Sequence, residues 1–62
     1  LIMRTFDVDD RVIVLREGDR NNNKHGFIES IMEMNHIHVT IYNIEFDDGA
    51  KGYYFFSNII HE

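Results

Sequence analysis

Apolar and polar positions alternate along most of this chain, and the alternation defines its elements. Residues 11–15, RVIVL, put Val12 and Val14 on one side of an extended segment and Arg11, Ile13 and Leu15 on the other. Side chains point to opposite faces with period two, and β-branched residues suit a pleated surface, so this is the first predicted strand. Residues 16–26, REGDRNNNKHG, hold no apolar residue and read as a loop with the Asn triplet at its tip. Residues 27–34, FIESIMEM, place Ile28, Ser30, Met32 and Met34 together, opposite Phe27, Glu29, Ile31 and Glu33. A helical turn would tolerate that pattern. Gly26 just before it and the β-rich neighbours favour a strand. Met32 and Met34 are expected to pack into the core beside Ile28, because Met fills irregular gaps. If that face is exposed instead, it becomes a hydrophobic contact surface, and a homodimer through the second hairpin follows.

Asn35 and His36 form the next predicted turn, and residues 37–46, IHVTIYNIEF, form a long strand whose apolar face changes midway. Ile37, Val39 and Ile41 share one side, whereas Tyr42, Ile44 and Phe46 share the other. A strand that switches faces carries a bulge or bends, and this run is where the bulge is expected. The sharpest turn signal is DDGAKG, whose Asp-Gly pair supplies the positive φ a tight hairpin needs. YYFF (53–56) is then a short strand, and SNII (57–60) a single helical turn with a final extension. Five short strands result, with no convincing helix. At this length an open sandwich leaves long edges exposed and a tightly coiled barrel shortens them. The predicted fold is therefore all-β, a five-stranded small barrel over residues 6–62 with a short helical turn near the C-terminus. Residues 1–5 are expected to be an N-terminal extension or a cloning remnant.

Length changes this picture little: 62 residues make one domain near the lower limit for folding alone. Small domains often add disulfides or metals, but the chain has no Cys, which removes disulfides and thiolate metal sites. The 44% hydrophobic and 13% aromatic content is that of a globular domain rather than a disordered tail. No apolar run reaches the roughly 20 residues of a membrane span, and no basic-then-apolar leader is present. The expected setting is cytoplasmic, or nuclear in a eukaryote.

The net charge of −5 is unevenly placed. Five basic groups balance five acidic ones in residues 1–24, while residues 25–62 hold Lys51 against six acids. A surface built to bind phosphates shows a net basic face, and here one exists only around the first loop, at Arg16, Arg20 and Lys24. An acidic face of this kind steers basic partners.

The order FDVDDRVIV, polar loop, GFIESI, YNIEFDDG and YYFFSNI resembles the SH3-like small barrels of the Tudor and KOW type. The landmarks are Val12 and Val14; Gly26 and Ile28; Tyr42, Ile44, Phe46, Asp48 and Gly49; and Asn58 with Ile59. The likeness spans roughly residues 6–60. For Tudor-type members it implies methylated Lys or Arg held over aromatic faces. Phe46 with Tyr53 or Tyr54 then forms one wall of the cage and Asp47 or Asp48 pairs with the cation. The opposite wall has no counterpart, since the first loop contains no aromatic. For KOW-type members it implies contact with RNA or with transcription and translation machinery, through Arg16, Arg20 and Lys24. Glu17, Asp19 and the acidic remainder oppose that reading. The third branch, an adaptor gripping another protein through an aromatic patch or an open strand edge, needs no special constellation.

Candidate chemistry is sparse. His36 and His38 are two apart and share a side if extended, yet no third or fourth zinc ligand follows at a recognisable spacing. Asp9-Asp10 and Asp47-Asp48 are adjacent carboxylates in predicted turns, whereas acid–base work needs one carboxyl in an apolar pocket with a raised pKa. Ser30 and Ser57 have no base at a suitable spacing. The expectation is a non-catalytic binding module with no cofactor and no metal, acting on another protein, with nucleic acid second. Its partner-binding residues are expected to be Phe46, Asp47, Asp48, Tyr53 and Tyr54, with Tyr42 and Ile44 in the core and Phe46 near its rim. Alternation leaves open whether Tyr53 and Phe55 or Tyr54 and Phe56 face solvent.

Overall fold

A computed structural model describes residues 6–62. The expectation for residues 1–5 lies outside them. The elements are β1 (Arg11–Val14), β2 (His25–Met34), a 3-10 turn (Asn35–Ile37), β3 (Val39–Phe46), β4 (Lys51–Tyr54), a second 3-10 turn (Phe56–Asn58) and β5 (Ile59–His61). All pairings are antiparallel, and the strand order is β4-β3-β2-β1-β5. The protein is thus a small five-stranded antiparallel sheet whose two edges, β4 and β5, are not paired with each other.

One cluster forms the core: Phe6, Val12, Val14, Ile28, Tyr42, Ile44, Phe46, Tyr54 and Ile59. Every strand contributes to it, yet among the described residues no α-helix or second sheet lies over it. Val12, Val14, Ile28 and Ile44 are nonetheless fully buried. A single sheet can shield its own inner face this way only by curling round it. Phe6 closes one end, its ring edge-on to Tyr42 at 5.6 Å. Burying each aliphatic or aromatic side chain of this kind contributes roughly 1.5–3 kcal/mol.

The curl has a local cause. Ile28 pairs with Ile44, but the next pair is Ser30 with Asn43, so Glu29 is an extra residue on β2. A bulge bends its strand and increases the twist. It also shifts the face. Before it Gly26 and Ile28 point inward; after it Ile31, opposite Tyr42, points inward and packs on the core. This overturns two expectations. The bulge lies on β2 rather than β3, whose alternation runs unbroken from Tyr42 to Phe46. Met32 is on the outer face, 52% exposed, and Met34 shares that face opposite Val39, so neither joins Ile28 in the core.

Gly26 is where two strands press together. A Cβ there would lie 2.4 Å from the Glu45 carbonyl oxygen, so no other residue fits without moving backbone. The hairpin between β3 and β4 turns at Gly49, with φ of +90°, and closes through Phe46 N–H donating to the Ala50 carbonyl at 2.8 Å.

Candidate functional site

The outer face and open edge of the sheet carry exposed rings. Tyr53, Phe55 and Phe56 are 66%, 51% and 63% exposed. Tyr53 sits on β4 opposite Asn43, pointing away from the core that Tyr54 enters. Alternation would send Phe56 inward with Tyr54. The strand ends at Tyr54, however, and the 3-10 turn begins at Phe56, so both Phe rings emerge. Ile41 faces Met32 across the β2–β3 ladder. It also lines, with Arg16, Tyr53, Tyr54 and Phe55, a shallow cavity of about 100 Å³. Met32, Ile41, Tyr53 and Phe55 thus lie along the outer face of β2, β3 and β4 and the residue after it, the kind of surface that marks contact sites, and Phe56 is exposed in the turn that follows.

The first loop is fastened beneath this surface by a polar network. The Tyr54 hydroxyl donates to Asp19 Oδ2 at 2.6 Å and accepts from Asn21 Nδ2 at 2.9 Å. Asn21 is buried, and its Oδ1 has no partner among the described residues. The Tyr54 phenol is pushed up by burial and by the neighbouring Asp19 carboxylate; that carboxylate is in turn held below its usual range, first by the Tyr54 hydrogen bond. Tyr54 lies across Gly52, where a Cβ would come within 2.6 Å of its ring.

The DDG turn is a closed set of ion pairs. Asp47 takes a bidentate pair of hydrogen bonds from Arg11, both 2.7 Å, and Arg11 also reaches Glu62 at 3.0 Å. His25 Nδ1 lies 2.6 Å from the same Glu62 carboxylate, and Lys24 pairs with Asp48. Such forked guanidinium contacts are geometrically specific. Arg11 holds Asp47 and Glu62 below the usual carboxylate range, and Lys24 does the same for Asp48. Asp48 also accepts the Ala50 N–H, fixing the turn.

Of the residues expected to meet a partner, Tyr53 is presented to solvent, while Asp47 and Asp48 are exposed but engaged within the chain. Two expectations are corrected. Phe46, 2% exposed, lies inside the core and not at its rim, because β3 keeps its phase and Phe46 falls on the same side as Tyr42 and Ile44. Tyr54, 5% exposed, is also core, packed edge-on against Phe46. An aromatic cage built on these two rings therefore has no open faces. His36 and His38 do not share a strand: they lie in the first 3-10 turn and at its left-handed end, where His38 has φ of +54°. Among the described residues no three His, Cys, Asp or Glu side chains come together as a metal site.

The basic loop residues divide. Lys24 is tied to Asp48, with its ammonium 5.9 Å from the Phe46 ring centre. Arg16 and Arg20 are exposed and form no salt bridge among the described residues. Alternation offered Phe55 or Phe56 as surface rings but not both, and Ile41 and the placing of Arg16 beside Tyr53 and Phe55 were missed from sequence. Only the Ser-Asn following Phe56 hinted that the strand ends early enough to free both rings. No helix of the described residues is long and apolar enough to cross a membrane. Comparison of the chain with protein-family models, curated proteins and solved structures finds no match.

Proposed function

We propose that this protein is a non-catalytic binding module that grips another protein through the outer face of β3 and β4 and the turn that follows. The observation that carries the reading is the exposure of Tyr53 and Phe55 next to Ile41 and Met32, with Phe56 exposed in the following turn, in a chain too small to spare apolar area. Aromatic residues and Met are enriched at protein interfaces, and a sheet edge accepts an extended segment. The SH3-like barrel belongs to the same proposal. Supporting it, Val12 and Val14 lie in β1, Gly26 and Ile28 in β2, the DDG turn after β3 and a helical turn before β5. The curled sheet around one core supports it. The non-catalytic reading is supported by the DDG carboxylates, whose pKa values are lowered by Arg11 and Lys24 rather than raised as an acid catalyst needs.

The test uses the chain and its Tyr53→Ser/Phe55→Ser/Phe56→Ser variant as paired baits, with and without nuclease. Proteins retained after nuclease by the parent and lost by the variant, at unchanged thermal stability, are the expected result. Capture unaffected by the variant refutes the reading. Capture abolished by nuclease gives precedence to nucleic acid binding through the first loop. Sedimentation of the isolated chain reads whether the partner is a second copy meeting the exposed Met32 face.

A further inference from the structure

The proposed contact surface combines three features that together specify the chemistry of its occupant. The first is an open strand edge. Phe46 N–H bonds to the Ala50 carbonyl, so in the alternating ladder the pairs Ile44–Gly52 and Tyr42–Tyr54 are the hydrogen-bonded ones. The backbone N–H and C=O of Lys51 and Tyr53 therefore point away from β3. Among the described residues no strand or loop backbone bonds to them.

The second feature is apolar relief on that edge. Tyr53, Phe55 and Ile41, with Tyr54 and Arg16, line the shallow cavity of about 100 Å³. The third is charge. Of the described Lys and Arg residues, Arg11, Lys24 and Lys51 are held in ion pairs, Lys51 by Glu29 and Glu45. Arg16 and Arg20 are the two that form none, and Arg16 is part of the cavity wall. Glu17 shares the loop, and Asp19 lies between the two arginines, but its carboxylate is already bonded by the Tyr54 hydroxyl and the Asn21 N–H. Both arginines act on Asp19 electrostatically without reaching salt-bridge distance, and Arg16 is left with an exposed guanidinium beside Tyr53 and Phe55.

Resting on the proposed protein-contact reading, we infer that the occupant is an extended acidic segment of another protein: it adds as a strand to the β4 edge, seats an apolar side chain between Tyr53, Phe55 and Ile41, and places a carboxylate on Arg16. This reverses the sign of partner expected from net charge and from the Asp47-Asp48 turn, because those acids are already neutralised by Arg11 and Lys24. A nucleic acid would also meet Arg16 and the rings. It would leave the β4 backbone edge unused and would bring many phosphates against a net charge of −5.

The test uses short labelled peptides alternating Phe with Asp, the same peptides with Lys for Asp, a version N-methylated on the edge-facing amides, and a short single-stranded oligonucleotide. Fluorescence anisotropy gives affinity and amide chemical shifts give location, for the parent chain, Arg16→Glu and Tyr53→Ser. The expected result is at least about tenfold preference for the acidic peptide over the basic one. Arg16→Glu should erase that preference, N-methylation should weaken binding, and shifts should gather at residues 51–56 and at Arg16. If the basic peptide binds equally well at residues 51–56, the inference falls while the contact-surface reading stands. Shifts gathered elsewhere, with no effect of Tyr53→Ser, overturn both. Tighter, steeply salt-dependent binding of the oligonucleotide, or no peptide binding at about 1 mM, also overturns the inference.

Discussion

Replacing Tyr54 by Phe tests how the contact surface is held in place. The change keeps the ring and its edge-on contact with Phe46, whose centroid is 6.0 Å away, and removes one oxygen. That oxygen donates to Asp19 at 2.6 Å and accepts from Asn21 at 2.9 Å. Without it the buried Asn21 amide, whose Oδ1 already has no partner among the described residues, keeps no side-chain hydrogen bond to them. An unsatisfied buried polar group costs about 1–3 kcal/mol, and the lost phenol bond adds about 1 kcal/mol. Tyr54→Phe should therefore destabilise the fold by about 2–4 kcal/mol, which for a domain of this size lowers Tm by roughly 8–32 °C. Urea unfolding followed by circular dichroism measures the loss. A cycle with Asn21→Ala should show coupling of about 0.5–3 kcal/mol, since the two side chains share one bond. Backbone relaxation should show the loop of residues 15–24 gaining motion in the variant while β2 and β3 do not. A loss below about 0.5 kcal/mol, the level of an ordinary surface change, would refute the account. So would strict additivity in the cycle, because the loop would then be held by its own backbone bonds.

Phe46→Ala should cost about 3–5 kcal/mol and leave most of the chain unfolded at 25 °C, as calorimetry or circular dichroism would show; near-native stability would return Phe46 to the surface. Gly26→Ala drives a Cβ into the Glu45 carbonyl and should cost more than Gly52→Ala, where the obstacle is the Tyr54 ring; the order of their urea midpoints checks this. Acid should unfold the protein in a defined direction. Asp19, Asp47, Asp48 and Glu62 are all lowered in the folded state, so their contribution is complete above the ordinary carboxylate values. It is lost as pH falls through the folded ones, giving a urea midpoint that is level near neutrality and drops below about pH 4. Arg11→Met removes the shared partner of Asp47 and Glu62 and should flatten that drop; an unchanged acid profile would show that those pairs have no part in it.

Much of the fold was legible because a strand's period of two is a local property. The alternation of Val12 and Val14, and of Tyr42, Ile44 and Phe46, follows from which side chains avoid water, and the Asp48-Gly49 turn follows from the backbone angles glycine permits. The order of five strands and a late helical turn was read this way, although β4 runs Lys51–Tyr54 rather than 53–56 and the turn begins at Phe56. The candidate site was less legible. Tyr53 is exposed; Phe46, expected near the rim, is core, and so is Tyr54, whose face alternation had left open; Phe55 and Phe56 emerge together only because a 3-10 turn interrupts the alternation.

Local pattern therefore determined the elements, their order and the all-β class of this chain. The tertiary structure alone decided which face each residue presents beyond an irregularity, because one extra residue at Glu29 reverses every later position on β2 and no local signal marks it. It also decided which charges remain free. Arg11 finds Asp47 and Glu62, 36 and 51 residues away, whereas Arg16 finds no carboxylate within salt-bridge distance. Net charge is a sum over the chain, but what a partner meets is set by distances that exist only after folding.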